Sequence, residues 1–172
     1  SSYMTGEVVP VASHIRKMYP RDSATDEGGE DDTQTHRLLR RGIPFGTSLP
    51  GDTPLDDPAA TASFPDDRGL LFLCYQSSIA RQFEFVQRRW ANDPDGPVDG
   101  VGHDPLIGQV HGARSFTLPG GRPDHVALMQ QFVVTTGGEY FFQPSIAALR
   151  DLGAGAPPTG TGGASSSAGP RR

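Results

Sequence analysis

The chain has 172 residues, room for one domain of ordinary size, but only 35% of them are hydrophobic. Its 22 glycines and 16 prolines make up more than a fifth of the sequence, so a modest core carrying long irregular segments is expected. A net charge of −5 offers no basic field, which argues against nucleic acid and anionic lipid as partners, and no apolar run approaches the ~20 residues of a membrane span.

Ser1 to Pro20 has no firm apolar period. Residues 21–34 carry Asp22, Asp26, Glu27, Glu30, Asp31 and Asp32 with two glycines and nothing to bury, so they read as a solvated acidic loop. Thr35 to Gly46 (T-H-R-L-L-R-R-G-I-P-F-G) reads as a short strand running into a turn, and Thr47 to Arg68 as loop. Gly69 to Ser77 is a continuous apolar run, the pattern of a strand with both faces covered. A helix follows, capped by Ser77 or Ser78, with Ile79, Phe83, Val86 and Trp90 on one face and Asn92 to Gly96 ending it.

Asp95 to Gly121 reads as loop, Val126 to Thr135 and Glu139 to Phe142 as strands joined at Gly137-Gly138, and Pro144 to Leu152 as a closing helix. Residues 153–172 hold Gly, Ala, Ser and Pro without a large apolar residue and read as a disordered tail. The domain is thus expected over residues 1–152, as an α+β fold with an antiparallel sheet and long loops.

Cys74 is the single cysteine, so no intrachain disulfide can form. It sits in the best strand and reads as a small buried hydrophobe. This usage favours the cytoplasm over secretion. A start at Ser1 without Met suggests a fragment or processed product, which limits what missing targeting signals can say. His36, His103, His111 and His125 form no compact ligand pair, and a Cys-rich zinc site is excluded, so structural zinc is set aside. Gly96 to Gly100 has the form Gly-x-x-Asp-Gly and reads as a turn. No nucleophile elbow, P-loop or dinucleotide fingerprint is present.

His14 lies among basic residues. As a metal ligand it would need one ring nitrogen free and the other donating to a carboxylate or carbonyl. Among the arginines at 37, 40 and 41, one held beside an apolar pocket would be a permanent positive charge suited to a developing anion.

Four segments, in order, resemble the C-terminal half of the dye-decolourising (DyP-type) haem peroxidases. They are A-S-H-I-R-K-M-Y-P-R around His14, R-L-L-R-R-G-I-P-F-G around Arg40, Asp67 to Gln87 followed by Trp90 and D-P-L-I-G at Asp104 to Gly108, and Thr135 to Arg150. The resemblance implies a ferredoxin-like fold of the dimeric α+β barrel type, present here as an incomplete C-terminal half. It implies that His14 is the axial ligand of the iron of haem b (iron protoporphyrin IX), that Asp104 supports it, and that Arg40 stands on the peroxide side. Leu70 and Phe72 would line the haem cavity.

The implied activity is oxidation of dyes or phenolic compounds with hydrogen peroxide, with Trp90 or a tyrosine either relaying oxidising equivalents to the surface or, as the plainer reading, packing as an aromatic, and a homo-oligomer left open. Three features depart from the family pattern. Val9-Pro10-Val11 and Tyr19-Pro20-Arg21 replace Cys-Pro-Phe and Asn-Pro-Arg, and no aspartate of a Gly-x-x-Asp-Gly motif occurs before His14. The alternative is therefore a non-catalytic haem-binding or interaction remnant.

Overall fold

The computed structural model describes residues 6–21, 25, 27–54, 56–57, 59, 67–118, 125–128 and 131–155. The elements in chain order are α1 (His14–Lys17), α2 (Glu30–Thr35), β1 (Leu39–Phe45), β2 (Gly69–Tyr75), α3 (Phe83–Phe85) continuing into a π-helical segment Val86–Ala91, β3 (Arg114–Thr117), β4 (His125–Leu128) and α4 (Ile146–Gly153). The class is α+β with antiparallel pairing: β1 with β2, and β3 with β4. No helix among the described residues is long and apolar enough to cross a membrane.

The chain divides into two compact units, Ser1–Thr135 and Thr136–Arg172. In the first, the core is Met18, Val86, Trp90 and Ala91, with Leu38, Phe85 and Ile107 packed against it. These residues come from the end of α1, the entry to β1, α3 with its π-helical continuation, and the loop after Asp104. The core therefore fastens to one another the segments that carry the candidate site. In the second unit, α4 is capped by Ser145, whose hydroxyl accepts from the Ala148 amide at 3.2 Å.

Several elements differ from the sequence expectations. The acidic run is not loop throughout, because residues 30–35 form α2. Glu30, Asp31 and Asp32 occupy its first turn, where negative charge favours the helix N-terminus. The helix expected from Ser77 or Ser78 begins only at Phe83. Gln82 explains the delay: its Oε1 accepts from the amides of Ser77 and Ser78 at 2.8 and 2.9 Å, tying that stretch into a turn. β3 arises inside an expected loop, and β4 covers His125–Leu128 rather than reaching Thr135. Glu139 to Phe142 is not a strand but irregular backbone leading into α4. The expected tail lies outside the described residues beyond Gly155.

The β1–β2 hairpin is the largest surprise. Its register pairs Leu39 with Tyr75 through Phe45 with Gly69. The apolar pattern of β2 predicts two covered faces, yet every residue of both strands is exposed except Cys74, which is half-buried rather than buried. Two strands alone have no third layer to cover either face. Partial burial still pushes the Cys74 thiol pKa up.

Candidate functional site

The sequence places His14 in the first turn of α1, after Pro10 and Ser13. The Ser13 carbonyl accepts from the Arg16 and Lys17 amides at 2.9 and 2.8 Å, which closes the turn. Arg16 adds a tie from its Nη1 to the Val9 carbonyl at 2.8 Å. His14 Nδ1 lies 2.9 Å from Oδ2 of Asp104; the His14 side chain is 37% exposed and that of Asp104 is fully buried.

The Asp104 carboxylate is held from its other oxygen as well. Oδ1 accepts from the amides of Leu106 and Ile107 at 2.9 and 2.8 Å, a turn an aspartate before Pro105 is well suited to cap. Its own amide donates to the Ala91 carbonyl at 2.9 Å, which anchors the loop to the end of the π-helical segment. Gly108 completes the loop at close quarters. A Cβ there would sit 2.7 Å from the Asp104 carbonyl oxygen, so a larger residue would displace the acid.

Both oxygens of this buried carboxylate thus have nitrogen partners, two backbone amides on Oδ1 and the imidazole on Oδ2, as burial of a charge requires. An ionised carboxylate can only accept, so a neutral His14 facing it carries its proton on Nδ1 and keeps the lone pair on Nε2. This is the donor a metal ligand of imidazole type needs.

Lys17 lies one turn further on and is fully buried. Its Nζ donates to the carbonyl of Asp93 at 2.9 Å and to that of Gly96. Burial pulls its pKa from 10.5 down to about 8, against the opposing pull of the Asp104, Asp93 and Asp95 carboxylates. Sequence reading missed Lys17, because nothing in H-I-R-K marks its basic residues as buried, as both Arg16 and Lys17 are. Its signal exists only in the fold.

Arg40 lies in β1 opposite Cys74 and is exposed. Cross-strand partners share a face, so Arg40, Gly42 and Pro44 stand with Cys74, Phe72 and Leu70 on one side of the hairpin. The Phe72 ring lies 6.1 Å from that of Phe83, at the start of α3. Leu70 and Phe72 are 60% and 44% exposed, so this face is an open apolar surface with a guanidinium at one end.

Two groups of expected residues are therefore assembled: His14 with Asp104, and Arg40 with Leu70 and Phe72. Among the described residues no hydrogen bond or ion pair joins one group to the other. Gly96 to Gly100 is a turn, as expected, with Gly100 at φ +70°. Trp90 is buried in the core.

The family model for the C-terminal part of Dyp-type peroxidases matches residues 2–122. The chain belongs to the Dyp-type peroxidase family. Among curated members of this family, the chain is 39% identical over 145 residues to the dye-decolorizing peroxidase of Exidia glandulosa, covering 81% of this chain and 26% of that protein. It is 39% identical over 155 residues to the multifunctional dye peroxidase DyP2 of Amycolatopsis sp. (strain ATCC 39116 / 75iv2), covering 86% and 33%.

Among solved structures of Dyp-type peroxidases, an ancestral D-type dye decolorizing peroxidase aligns with a TM-score of 0.68 at 40% identity, over 83% of this chain and 32% of that one. A triple mutant of the decolorizing peroxidase from Auricularia auricula-judae aligns with a TM-score of 0.66 at 33% identity, over 84% and 33%. The α+β, ferredoxin-like class expected from sequence is the class of these Dyp-type neighbours. The chain spans about a quarter to a third of the length of the curated relatives it matches.

Proposed function

We propose that this chain provides the iron-ligating part of a haem peroxidase that uses hydrogen peroxide to oxidise dyes or phenolic compounds. The observation that carries the reading is the His14–Asp104 pair. An imidazole whose Nδ1 proton is held by a buried carboxylate, itself anchored by two backbone amides, has its orientation fixed and its Nε2 made more basic. That donor fits the axial position of a haem iron, for which histidine is a common ligand. Haem, when bound, supplies the redox chemistry with peroxide.

The residues of the chain set the conditions for that chemistry. His14 presents its lone pair, and Asp104 keeps the proton on the far nitrogen. Leu70 and Phe72 offer an apolar surface of the kind a macrocycle covers. Arg40, on the same face, supplies a charge that stays positive at any working pH and stabilises developing negative charge on a peroxide oxygen.

One observation favours a second reading, haem binding or protein interaction without turnover. The β1–β2 hairpin is exposed on both faces, so further structure is needed to close a pocket around it. One experiment separates the two. The chain is purified, haemin is added, and the Soret band and peroxide-dependent bleaching of an anthraquinone dye are followed. A Soret band with bleaching supports the peroxidase reading; a Soret band without bleaching supports the second. A folded chain that takes up no haemin contradicts both.

A further inference from the structure

A second cluster of ligating groups lies away from His14 and Arg40. Glu27, Asp32 and His36 each offer one ligand atom, and the three atoms lie within 4.8 Å of one another. Acidic residues gathered on a surface would say little. His36 is what distinguishes this group.

His36 is buried, 6% exposed. Its ring stacks on Phe85 with centroids 3.6 Å apart and planes 5° apart, and meets Trp90 edge-on at 5.5 Å. The ring plane is therefore fixed by the core. Its Nδ1 faces the carbonyl of Arg81. A carbonyl oxygen only accepts, so Nδ1 carries a proton and donates it. In the neutral imidazole, Nε2 is then a lone pair.

That lone pair is aimed at another. Nε2 lies 3.5 Å from Oδ2 of Asp32, which is four residues earlier on α2. Both atoms are buried and neither has a hydrogen-bond partner. A lone pair and a carboxylate oxygen facing each other in a buried setting repel unless a positive centre lies between them.

We infer that Glu27, Asp32 and His36 bind a divalent transition-metal cation of the zinc class. The spacing of His36 and Asp32 fits: two ligand atoms each about 2.1 Å from one ion, and 3.5 Å from each other, subtend about 113° at it, close to tetrahedral, while the exposed Glu27, within 4.8 Å of both, has room to swing onto the ion. One nitrogen and two carboxylate oxygens are donors that such ions accept, with solvent completing the shell. The Nδ1 donation to a backbone carbonyl is the outer support that metal-bound histidines commonly have. Glu27 Oε1 accepts from Arg89 Nε at 2.9 Å, so this carboxylate would be shared between the guanidinium and the ion. Arg89 also pairs with Asp93 at 2.7 Å, which offsets part of its charge.

Zinc is set aside at the sequence level because no histidine pair or cysteine set exists. This site needs neither, since one histidine is joined by two acids from a run that reads as solvated loop. The ion would tie α2 and the turn at Glu27 to the aromatic core, within the segment that leads from His14 to Arg40.

The test is independent of haem and of peroxidase turnover. The full chain is stripped with a chelator and titrated with Zn2+ by calorimetry and with Co2+ by visible absorption. Asp32→Asn and Glu27→Gln are measured alongside; both positions are partly exposed, so the core is left intact. One Zn2+ per chain is expected, with tetrahedral-type Co2+ bands. In Asp32→Asn the affinity falls by more than the 10–100-fold that loss of a mere supporting partner costs. Failure of saturable binding, or equal affinity in wild type and Asp32→Asn, would overturn the site. So would protons found by NMR on both ring nitrogens of His36 in Zn2+-saturated protein, for the pair would then be an imidazolium–carboxylate bridge.

Discussion

Oδ2 of Asp104 accepts the Nδ1 proton of His14 at 2.9 Å, across ninety positions of sequence. Neither residue is notable alone. The pair is made by the core, which joins α1 through Met18 to the loop around Ile107. The first expectation concerns this bond. Asp104→Asn keeps an oxygen acceptor but removes the charge that makes the imidazole basic. Haemin-reconstituted Asp104→Asn should keep its Soret band, show a raised ferric/ferrous midpoint potential and lose about 10–100-fold in turnover. A merely structural role for Asp104 would leave the potential of the folded protein unmoved.

Arg40 is expected to act on the reaction rather than on haem uptake. Arg40→Leu leaves an exposed strand position filled by another residue, so folding should be retained. The rate of reaction with peroxide in stopped flow should fall by a factor on the order of 10² or more, as when an oxyanion donor is removed. Equal rates would take Arg40 out of that role.

Lys17 makes a pH-dependent contribution to stability. Its pKa is about 8 when folded and 10.5 as the ordinary value, with burial the main cause. Below about pH 8 both states hold the proton, and the cost of a buried ammonium is fully present. From about 8 to 10.5 the unfolded chain holds a proton the folded chain has lost, so this contribution moves in favour of folding as pH rises. Urea unfolding of wild type and Lys17→Met across that interval should show the difference between them shifting toward the wild type. A difference that stays flat with pH would contradict the shifted Lys17.

Trp90 carries the core. It is 2% exposed and meets the rings of His36 and Phe85 edge-on. Trp90→Ala should cost about 3–5 kcal/mol, the range for large aromatics in cores. A loss under about 1 kcal/mol in denaturant unfolding would show that the cluster is not the core. Because α1 and the Asp104 loop lean on the same cluster, the His14–Asp104 bond should loosen with it.

Much of this was legible in the residues, for identifiable reasons. β2 is a run of apolar residues too short for a helix and opened by Gly69, which marks a strand. Its exposure could not be read, since a run tells what a strand could bury and not whether a covering layer is present. α2 was hidden because E-D-D-T-Q-T has no apolar period; its stability comes from charge at a helix start and from Thr33 buried against the fold.

The helix expected from Ser77 was set too early because Gln82 turns back onto the Ser77 and Ser78 amides, a contact that periodicity does not encode. His14, Arg40, Asp104, Leu70 and Phe72 were reached through family resemblance, not spacing. Lys17 and His36 were passed over because burial of a polar side chain depends on its distant neighbours.

The central claim is that His14 binds haem iron through Nε2. The most direct test is the visible and EPR spectrum of haemin-reconstituted His14→Gly, recorded without and with added imidazole. The histidine-ligated spectrum should be lost in the variant and restored by imidazole, which fills the vacated space beside Asp104. A variant whose spectrum matches the wild type without imidazole would show that the ligand is another residue.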